Sequence, residues 1–122
     1  MPLPIKVDRW GVLTPQSPHI TVVGALELMI EDPNNLFESG QRGAELTQLD
    51  LRGASISGLP KGLYRLKNLE ALYLSDNGIS ELPHDFGLLP KLKTLSLGKN
   101  NITALPQGFG ELWSSLAYLY LG

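Results

Sequence analysis

The strongest pattern in the chain is an alternation of leucines with variable residues that returns about every 23 residues. Each copy opens with Leu-x-x-Leu-x-Leu, and the openings lie at Leu46, Leu69, Leu92 and Leu116, the last arriving one residue late. Successive side chains of a strand point to opposite faces, so the two leucines of Leu-x-Leu share one face. The pattern therefore predicts a short strand in every copy, with Leu72, Leu74, Leu95 and Leu97 fully buried.

Polar and proline positions after each strand predict how the chain turns. Asn77 and Asn100 follow their strands directly, where a side-chain amide can satisfy backbone groups that would otherwise be buried unpaired. Ala54 holds this position in the first copy, so we expect an asparagine ladder that begins in the second copy, with neighbouring Asn101 exposed. Proline after leucine favours a tight irregular or helical turn on the outer side. The predicted remaining core walls are Ile79 with Ile102, Leu82 with Leu105, and Phe86 with Phe109, Leu63 replacing phenylalanine in the first copy.

No copy can bury its own apolar face, so each depends on its neighbours. The full pattern, LxxLxLxxNxIxxLPxxFxxLxx, resembles the leucine-rich repeat family, whose repeats span about 20 to 29 residues. It is similar to the cysteine-free Leu-Pro type of 23 residues found in Ras-suppressor, Scribble-like and plant Ras-group-related proteins, and to bacterial repeats of equal length. The resemblance implies an α/β solenoid, a right-handed superhelix with a short parallel sheet on its concave face and irregular or helical turns on its convex face.

The first 45 residues lack the repeat. Of the 25 leucines, five precede residue 46, so we predict an N-terminal flank over 1–45 and repeats over 46–68, 69–91 and 92–115, with a partial repeat at 116–122. Residues 5–7 and 10–13 predict short strands. Helical spacing from Val22 to Ile30 predicts a helix, although the β-branched residues 21–23 favour a strand at its start. We expect this flank to cap the first repeat with Trp10, Leu13, Val23, Leu26, Ile30, Leu36 and Phe37.

The chain stops at Gly122, inside the strand of the fourth copy. Terminal repeats normally carry a polar outer face, because an open core end invites aggregation. We therefore expect the chain to be a fragment of a longer repeat protein. The alternative is that the open end pairs with another copy of the chain.

Composition excludes several classes of protein. The net charge is −2, divided into −3 for residues 1–45 and +1 for the repeats, so neither part is a basic surface for nucleic acid. The chain has no cysteine, which excludes a disulfide framework. Extracellular members of the family that the chain resembles usually carry cysteine-rich caps, so the lack of cysteine favours an intracellular protein. The N-terminus lacks the apolar core of a signal peptide, and the longest apolar run, residues 20–30, is too short to span a bilayer. We therefore predict a cytoplasmic protein without a membrane span.

The sequence predicts no catalytic, cofactor or metal site. It has no cysteine nucleophile, and its two histidines are His19 and His84. Two histidines without cysteine do not fit a zinc site. His84 and Asp85 are adjacent in the variable outer turn, an arrangement that does not supply the hydrogen-bonded pair of a catalytic triad. We therefore predict that the chain is not an enzyme.

The outward residues of the strands form the predicted binding site, because solenoids use their concave sheet for recognition. Tyrosine joins a broad apolar body to a polar tip and is enriched at binding hot spots. We place the centre at Tyr73. The surrounding residues are Asp50, Arg52, Ser75, Ser96, Lys99, Tyr118 and Tyr120. Two alternatives stay open: the tyrosines only pack against strand neighbours, or binding uses the outer turns at His84, Asp85 and Gln107.

These patterns favour a non-catalytic protein-recognition module or signalling scaffold. The resemblance, which covers residues 46–122, implies a small GTPase or a phosphatase as partner. A second hypothesis is that the repeats are the targeting segment of a larger enzyme, such as a kinase, GTPase or ubiquitin ligase. A third is a self-associating structural protein.

Overall fold

The chain begins with an antiparallel hairpin and a helix and continues as a parallel sheet. In the computed structural model, which describes residues 1–112 and 115–121, strands β1 (Ile5–Val7) and β2 (Leu13–Pro15) precede helix α1 (Val22–Glu31). Strands β3 (Gln48–Asp50), β4 (Ala71–Tyr73), β5 (Thr94–Ser96) and β6 (Tyr118–Tyr120) then pair in chain order, all parallel. The 3₁₀ turns are Gly43–Glu45, Leu63–Arg65, Phe86–Leu88 and Phe109–Leu112. Residues 113 and 114 of the long link, and Gly122 at the expected open end, lie outside the described residues.

The leucines that alternate along the strands form the centre of the core. Leu49, Leu72, Leu95 and Leu119 stand in register across the parallel sheet. The predicted burial is confirmed, because Leu72, Leu74, Leu95 and Leu97 are at most 2% exposed. Each strand is three residues long, so its single inward side chain depends on the neighbouring copies for cover.

The asparagine ladder joins each copy to the one before it. The amide of Asn77 donates to the carbonyls of Leu51 and Leu74, both at 2.9 Å, and its oxygen accepts from the backbone N–H groups of Ala54 and Ile56, both at 3.0 Å. The amide of Asn100 repeats the pattern one copy later. Its partners are the carbonyls of Leu74 and Leu97 at 2.9 Å and the N–H of Ile79 at 3.1 Å. The predicted ladder is confirmed, and Asn101 beside it is exposed.

The outer side of the repeats is closed by aromatic side chains and 3₁₀ turns. Phe86 and Phe109 are buried, and their rings stack with centroids 6.2 Å apart and planes 7° from parallel. One predicted core position is wrong: Leu105 is 37% exposed, whereas Leu82 in the preceding copy is 6% exposed. Leu82 lies between the equivalent leucines of two neighbouring copies, whereas within the described residues Leu105 has such a neighbour on one side only.

Residues 21–23, for which the sequence favours either a helix or a strand, form the start of helix α1. Thr21 is the N-cap, and its hydroxyl accepts a hydrogen bond from the N–H of Gly24 at 3.0 Å. A capping threonine satisfies an N–H group that has no partner within the helix. The β-branched pair that follows is therefore helical, and the alternative strand is wrong. The second predicted strand is shifted, because Gly11 has a φ of 85° and turns the chain before β2 begins at Leu13.

Most of the apolar residues named for the N-terminal flank share one core with the repeats. Leu13, Leu26, Ile30 and Phe37 are buried, and Val23 packs against that core. The prediction is wrong for Trp10 and Leu36, which are 60% and 39% exposed. Both residues contribute their backbone instead: the carbonyl of Trp10 accepts from the Gln48 side chain, and that of Leu36 accepts from the N–H of Leu3 at 2.7 Å.

Candidate recognition surface on the parallel sheet

The outward residues of the parallel strands form rows that run across the sheet. The register places Gln48, Ala71, Thr94 and Tyr118 in one row and Asp50, Tyr73, Ser96 and Tyr120 in the next. Parallel pairing puts equivalent positions about 4.8 Å apart from strand to strand. We call these two rows, with Arg52 and Ser75 just beyond them, the sheet face. The sequence prediction brought these residues together correctly.

A three-residue cluster lies at the β3–β4 side of the sheet face. Arg52 donates to both carboxylate oxygens of Asp50, from Nε at 2.9 Å and from Nη2 at 2.6 Å. The Arg52 guanidinium also lies over the ring of Tyr73, 5.3 Å from its centroid. Bidentate pairing and cation–π contact both fix the plane of the guanidinium. The Asp50–Arg52–Tyr73 cluster is therefore a pre-ordered unit that the sequence, with its two-residue spacing of Asp50 and Arg52, did not reveal.

The charges of this cluster alter each other's ionisation. The side-chain hydrogen bond from Arg52 holds the pKa of the Asp50 carboxyl below its usual value of 3.8. The same bond raises the pKa of Arg52. Only 15% of the Asp50 side chain is exposed, against 58% for Arg52, so the guanidinium covers the carboxylate. Both groups are charged near neutral pH, and their charges are matched within the cluster.

The other predicted site residues surround the cluster. Ser75 and Ser96 are half-buried, whereas Tyr118 and Tyr120 are 72% and 64% exposed. Lys99 is exposed at the position that Gly53 and Asp76 hold in the preceding copies, and all three have a positive φ near 60°. Glu70 and Lys93, which directly precede Ala71 and Thr94 of the first row, form a further ion pair at 3.5 Å.

The outer turns differ from the sheet face in what their polar residues do. His84 is exposed, but the Asp85 carboxylate accepts a hydrogen bond from the N–H of Gly62 at 2.8 Å and so ties two copies together. An open groove of about 780 Å³ runs along these turns. Its lining includes Leu82, Pro83, His84 and Gln107. Asp85 therefore has a structural role, although the alternative prediction places it among the variable binding residues of the outer turns.

Sequence reasoning missed Trp10 and Val12 as neighbours of the sheet face. Val12 forms a parallel bridge with Asp50 at the edge of β3 opposite β4. Both Trp10 and Val12 are exposed. The available signal was Asp8 followed three residues later by Gly11, a combination typical of turns. A turn there would have kept residues 10–12 out of a regular strand.

Residues 1–112 and 115–121 contain neither a metal-binding cluster nor a membrane-spanning helix. No group of three or more histidine, aspartate or glutamate side chains in this part of the chain lies close enough to hold a metal ion. In the same residues, no helix has both the length and the apolar character needed to cross a membrane. Every buried side-chain nitrogen or oxygen there has a hydrogen-bond partner.

Comparison with known families agrees with the repeat geometry. Residues 44–102 match the family model described as leucine rich repeat. This segment is a leucine-rich repeat array. Leucine-rich repeat segments generally mediate protein–protein contacts and are generally non-catalytic recognition modules. No curated protein matches the chain.

Proposed function

We propose that the chain is a non-catalytic recognition module that binds a partner protein through the sheet face. The Asp50–Arg52–Tyr73 cluster is the observation that carries this proposal. Its side chains point away from the leucine core, so the fold does not need them to close its interior. Tyrosine and arginine are nevertheless held there in a fixed arrangement, and both are enriched at binding hot spots.

Pre-ordering of the cluster explains why Tyr73 should dominate the binding energy. A side chain that is already fixed loses little conformational entropy when a partner covers it. Tyr73 is half-buried under Arg52 and is one of the two tyrosines in its row. Ser75, Ser96, Lys99, Tyr118 and Tyr120 then form the surrounding contacts.

The larger architecture that we infer is a right-handed solenoid with the sheet on its concave side. In this architecture residues 1–45 cap the first repeat, and the repeats occupy 46–122. Two observations support the cap. Leu26 and Met29 of α1 are fully buried in the core that includes Leu49, and Val12 pairs with Asp50 at the edge of β3.

The class of partner rests on the resemblance to intracellular Leu-Pro repeats of 23 residues. Their scaffolding role supports a cytoplasmic signalling scaffold for this chain. It also favours a small GTPase or a phosphatase as partner. The resemblance is based on the Leu-Pro step that recurs once per repeat, at Leu59, Leu82 and Leu105.

The test is a pair of alanine variants on opposite sides of the repeats. A partner is first isolated by affinity capture with the full chain, and its Kd is then measured with Tyr73→Ala and with His84→Ala. We expect Tyr73→Ala to weaken binding by about 2 kcal/mol or more, with little change for His84→Ala. If only His84→Ala weakens the complex, recognition occurs at the outer turns and the proposal is wrong.

A further inference from the structure

Trp10 is a large aromatic residue exposed on a rigid turn. Its side chain is 60% exposed, whereas tryptophan is highly buried on average. The turn is held by the carboxylate of Asp8, which accepts from the N–H groups of Trp10 at 2.9 Å and Val12 at 3.0 Å. Two backbone bonds close it, from Asp8 N–H to the Val12 carbonyl at 3.1 Å and from Gly11 N–H to the Asp8 carbonyl at 3.0 Å. The ring is therefore displayed from a fixed backbone.

This turn is attached to the edge of the sheet face. The Gln48 side chain donates to the carbonyl of Trp10 at 2.6 Å, and the N–H of Asp50 donates to the carbonyl of Gly11 at 2.8 Å. A side chain at Gly11 would place its Cβ 2.5 Å from the Gln48 carbonyl oxygen, so the contact requires glycine. Because Val12 pairs with Asp50, it extends the row of Tyr73 by one strand spacing of about 4.8 Å.

The charges on this extended surface are matched within it. Asp50 is paired with Arg52, and Glu70 with Lys93. The charges beside these pairs include Asp8 and Asp76, which are negative, and Arg9 and Lys99, which are positive. Glu45, which lines one cleft with Asp8 and Arg9, is paired with Arg42. Arg9 lies over the Trp10 ring, 5.1 Å from its centroid, just as Arg52 lies over Tyr73. A surface with matched charges produces little net field to attract an ionic partner.

Besides these matched charges, the groups available for contact are aromatic rings, methyl groups and hydroxyls. Trp10, Val12, Tyr73, Tyr118 and Tyr120 supply the apolar area, and Thr94 and Ser96 supply short hydroxyls. Such a surface is complementary to uncharged polypeptide with apolar side chains, since it carries no excess of either charge to balance that of a strongly charged segment.

We propose that Trp10 is a second anchor of the recognition surface and that the partner presents an uncharged segment rich in aromatic or aliphatic side chains. This inference rests on the proposed function of the sheet face and specifies its partner. Trp10 and Tyr73 act as two fixed aromatic anchors, with Val12 near Trp10 and the Asp50–Arg52 pair between Val12 and Tyr73.

A displayed library of short random peptides, panned on the full chain, tests the chemistry directly. We expect the selected peptides to carry a net charge near zero and to be rich in aromatic and aliphatic residues. Raising the salt concentration to about 1 M, where the Debye length is about 3 Å, should change their Kd by less than about threefold. Enrichment of acidic or basic peptides, steep weakening in salt, or failure to select any peptide would each overturn the inference.

Variants then locate the anchors. Trp10→Ala should raise the Kd of the selected peptides at least about tenfold, and Trp10→Phe should recover most of the loss. Leu88→Ala is the matched control, because Leu88 is 52% exposed on the outer 3₁₀ turn. If Tyr73→Ala abolishes binding and Trp10→Ala does not, the sheet face is correct and the second anchor is wrong. If only Leu88→Ala weakens binding, the proposed function itself fails.

Discussion

The sheet face and the outer turns are built from the same repeats but are constrained in different ways. On the sheet face, backbone bonds between strands and the asparagine ladder hold the chain, and the outward side chains are left to vary. On the outer side, close packing holds the chain. A Cβ on Gly87 would lie 2.3 Å from the carbonyl oxygen of Gly108, and Asp85 is bonded to Gly62.

This difference separates stability from recognition. A substitution on the outer side, or in the core, changes how the copies stack and should alter the free energy of unfolding. A substitution on the sheet face changes side chains that the stacking does not use, so it should alter binding with little effect on folding. The predictions below test that separation, beginning with the largest expected loss of stability.

The core leucines should show the largest effect. Leu95 is 1% exposed and stands in register with Leu72 and Leu119. Leu95→Ala should lower the free energy of unfolding by about 2 to 5 kcal/mol, because it removes buried apolar area and leaves a cavity. Urea titration followed by circular dichroism measures this. A loss below about 0.5 kcal/mol would mean that the inward and outward faces of the strands are exchanged.

Gly87 should be the most sensitive glycine of the outer turns. Gly87→Ala forces a Cβ against the backbone of the next copy and should lower the free energy of unfolding by about 1 to 3 kcal/mol. Gly58→Ala is its control, because a Cβ there meets nothing within 4 Å. Thermal unfolding of both variants gives the comparison. Equal stability of the two would show that the outer turns are not packed as closely as described.

The ladder should follow, with an effect confined to one of two adjacent asparagines. Asn100→Ala leaves the carbonyl of Leu97 and the N–H of Ile79 without their side-chain partner, while the carbonyl of Leu74 keeps its bond from Asn77, and should cost about 1 to 3 kcal/mol. Asn101→Ala, at an exposed neighbour, should change stability by less than about 0.5 kcal/mol. The two variants are compared by urea titration. Equal tolerance at both positions would contradict the ladder.

The smallest expected effect is a pH dependence from Asp50. A carboxyl whose pKa is lower in the folded state than in the unfolded state stabilises the fold above the unfolded pKa, and this contribution is lost as the pH falls through the folded pKa. Because Arg52 lowers the pKa of Asp50 from 3.8, the stability difference between wild type and Asp50→Asn should be constant above about pH 5 and shrink in more acidic solution. Arg52 is exposed, so the difference should remain below about 1 kcal/mol. A difference that grows on acidification would contradict the assignment.

Periodicity allowed most of the repeat segment to be predicted. Burial of Leu72 and Leu95, the ladder at Asn77 and Asn100, and the rows of the sheet face all follow from one repeated spacing. Leu105 could not be predicted in the same way, because its exposure depends on how many neighbouring copies cover it. A periodic pattern specifies the position of a residue within a copy but not what lies beside that copy.

The exposure of Trp10 in the N-terminal segment could not be predicted from the sequence. Trp10 is apolar, so the sequence predicts it in the core, yet the turn closed by Asp8 and Gly11 places its carbonyl, not its ring, against β3. The link between Arg52 and Tyr73 was also missed, since a contact across strands depends on side-chain conformation. Both errors concern the surface that we propose for recognition, where no hydrophobic periodicity constrains the residue type.

The footprint of a bound peptide tests the central claim most directly. Amide chemical shifts of the full chain, recorded with and without a peptide selected from the library, report which side of the repeats it covers. We predict the largest changes at Gln48, Ala71, Tyr73, Thr94 and Ser96, with the amides of Ser80, Glu81 and His84 unchanged. The largest changes at Ser80, Glu81 and His84, with those of the sheet face unmoved, would contradict recognition through the sheet.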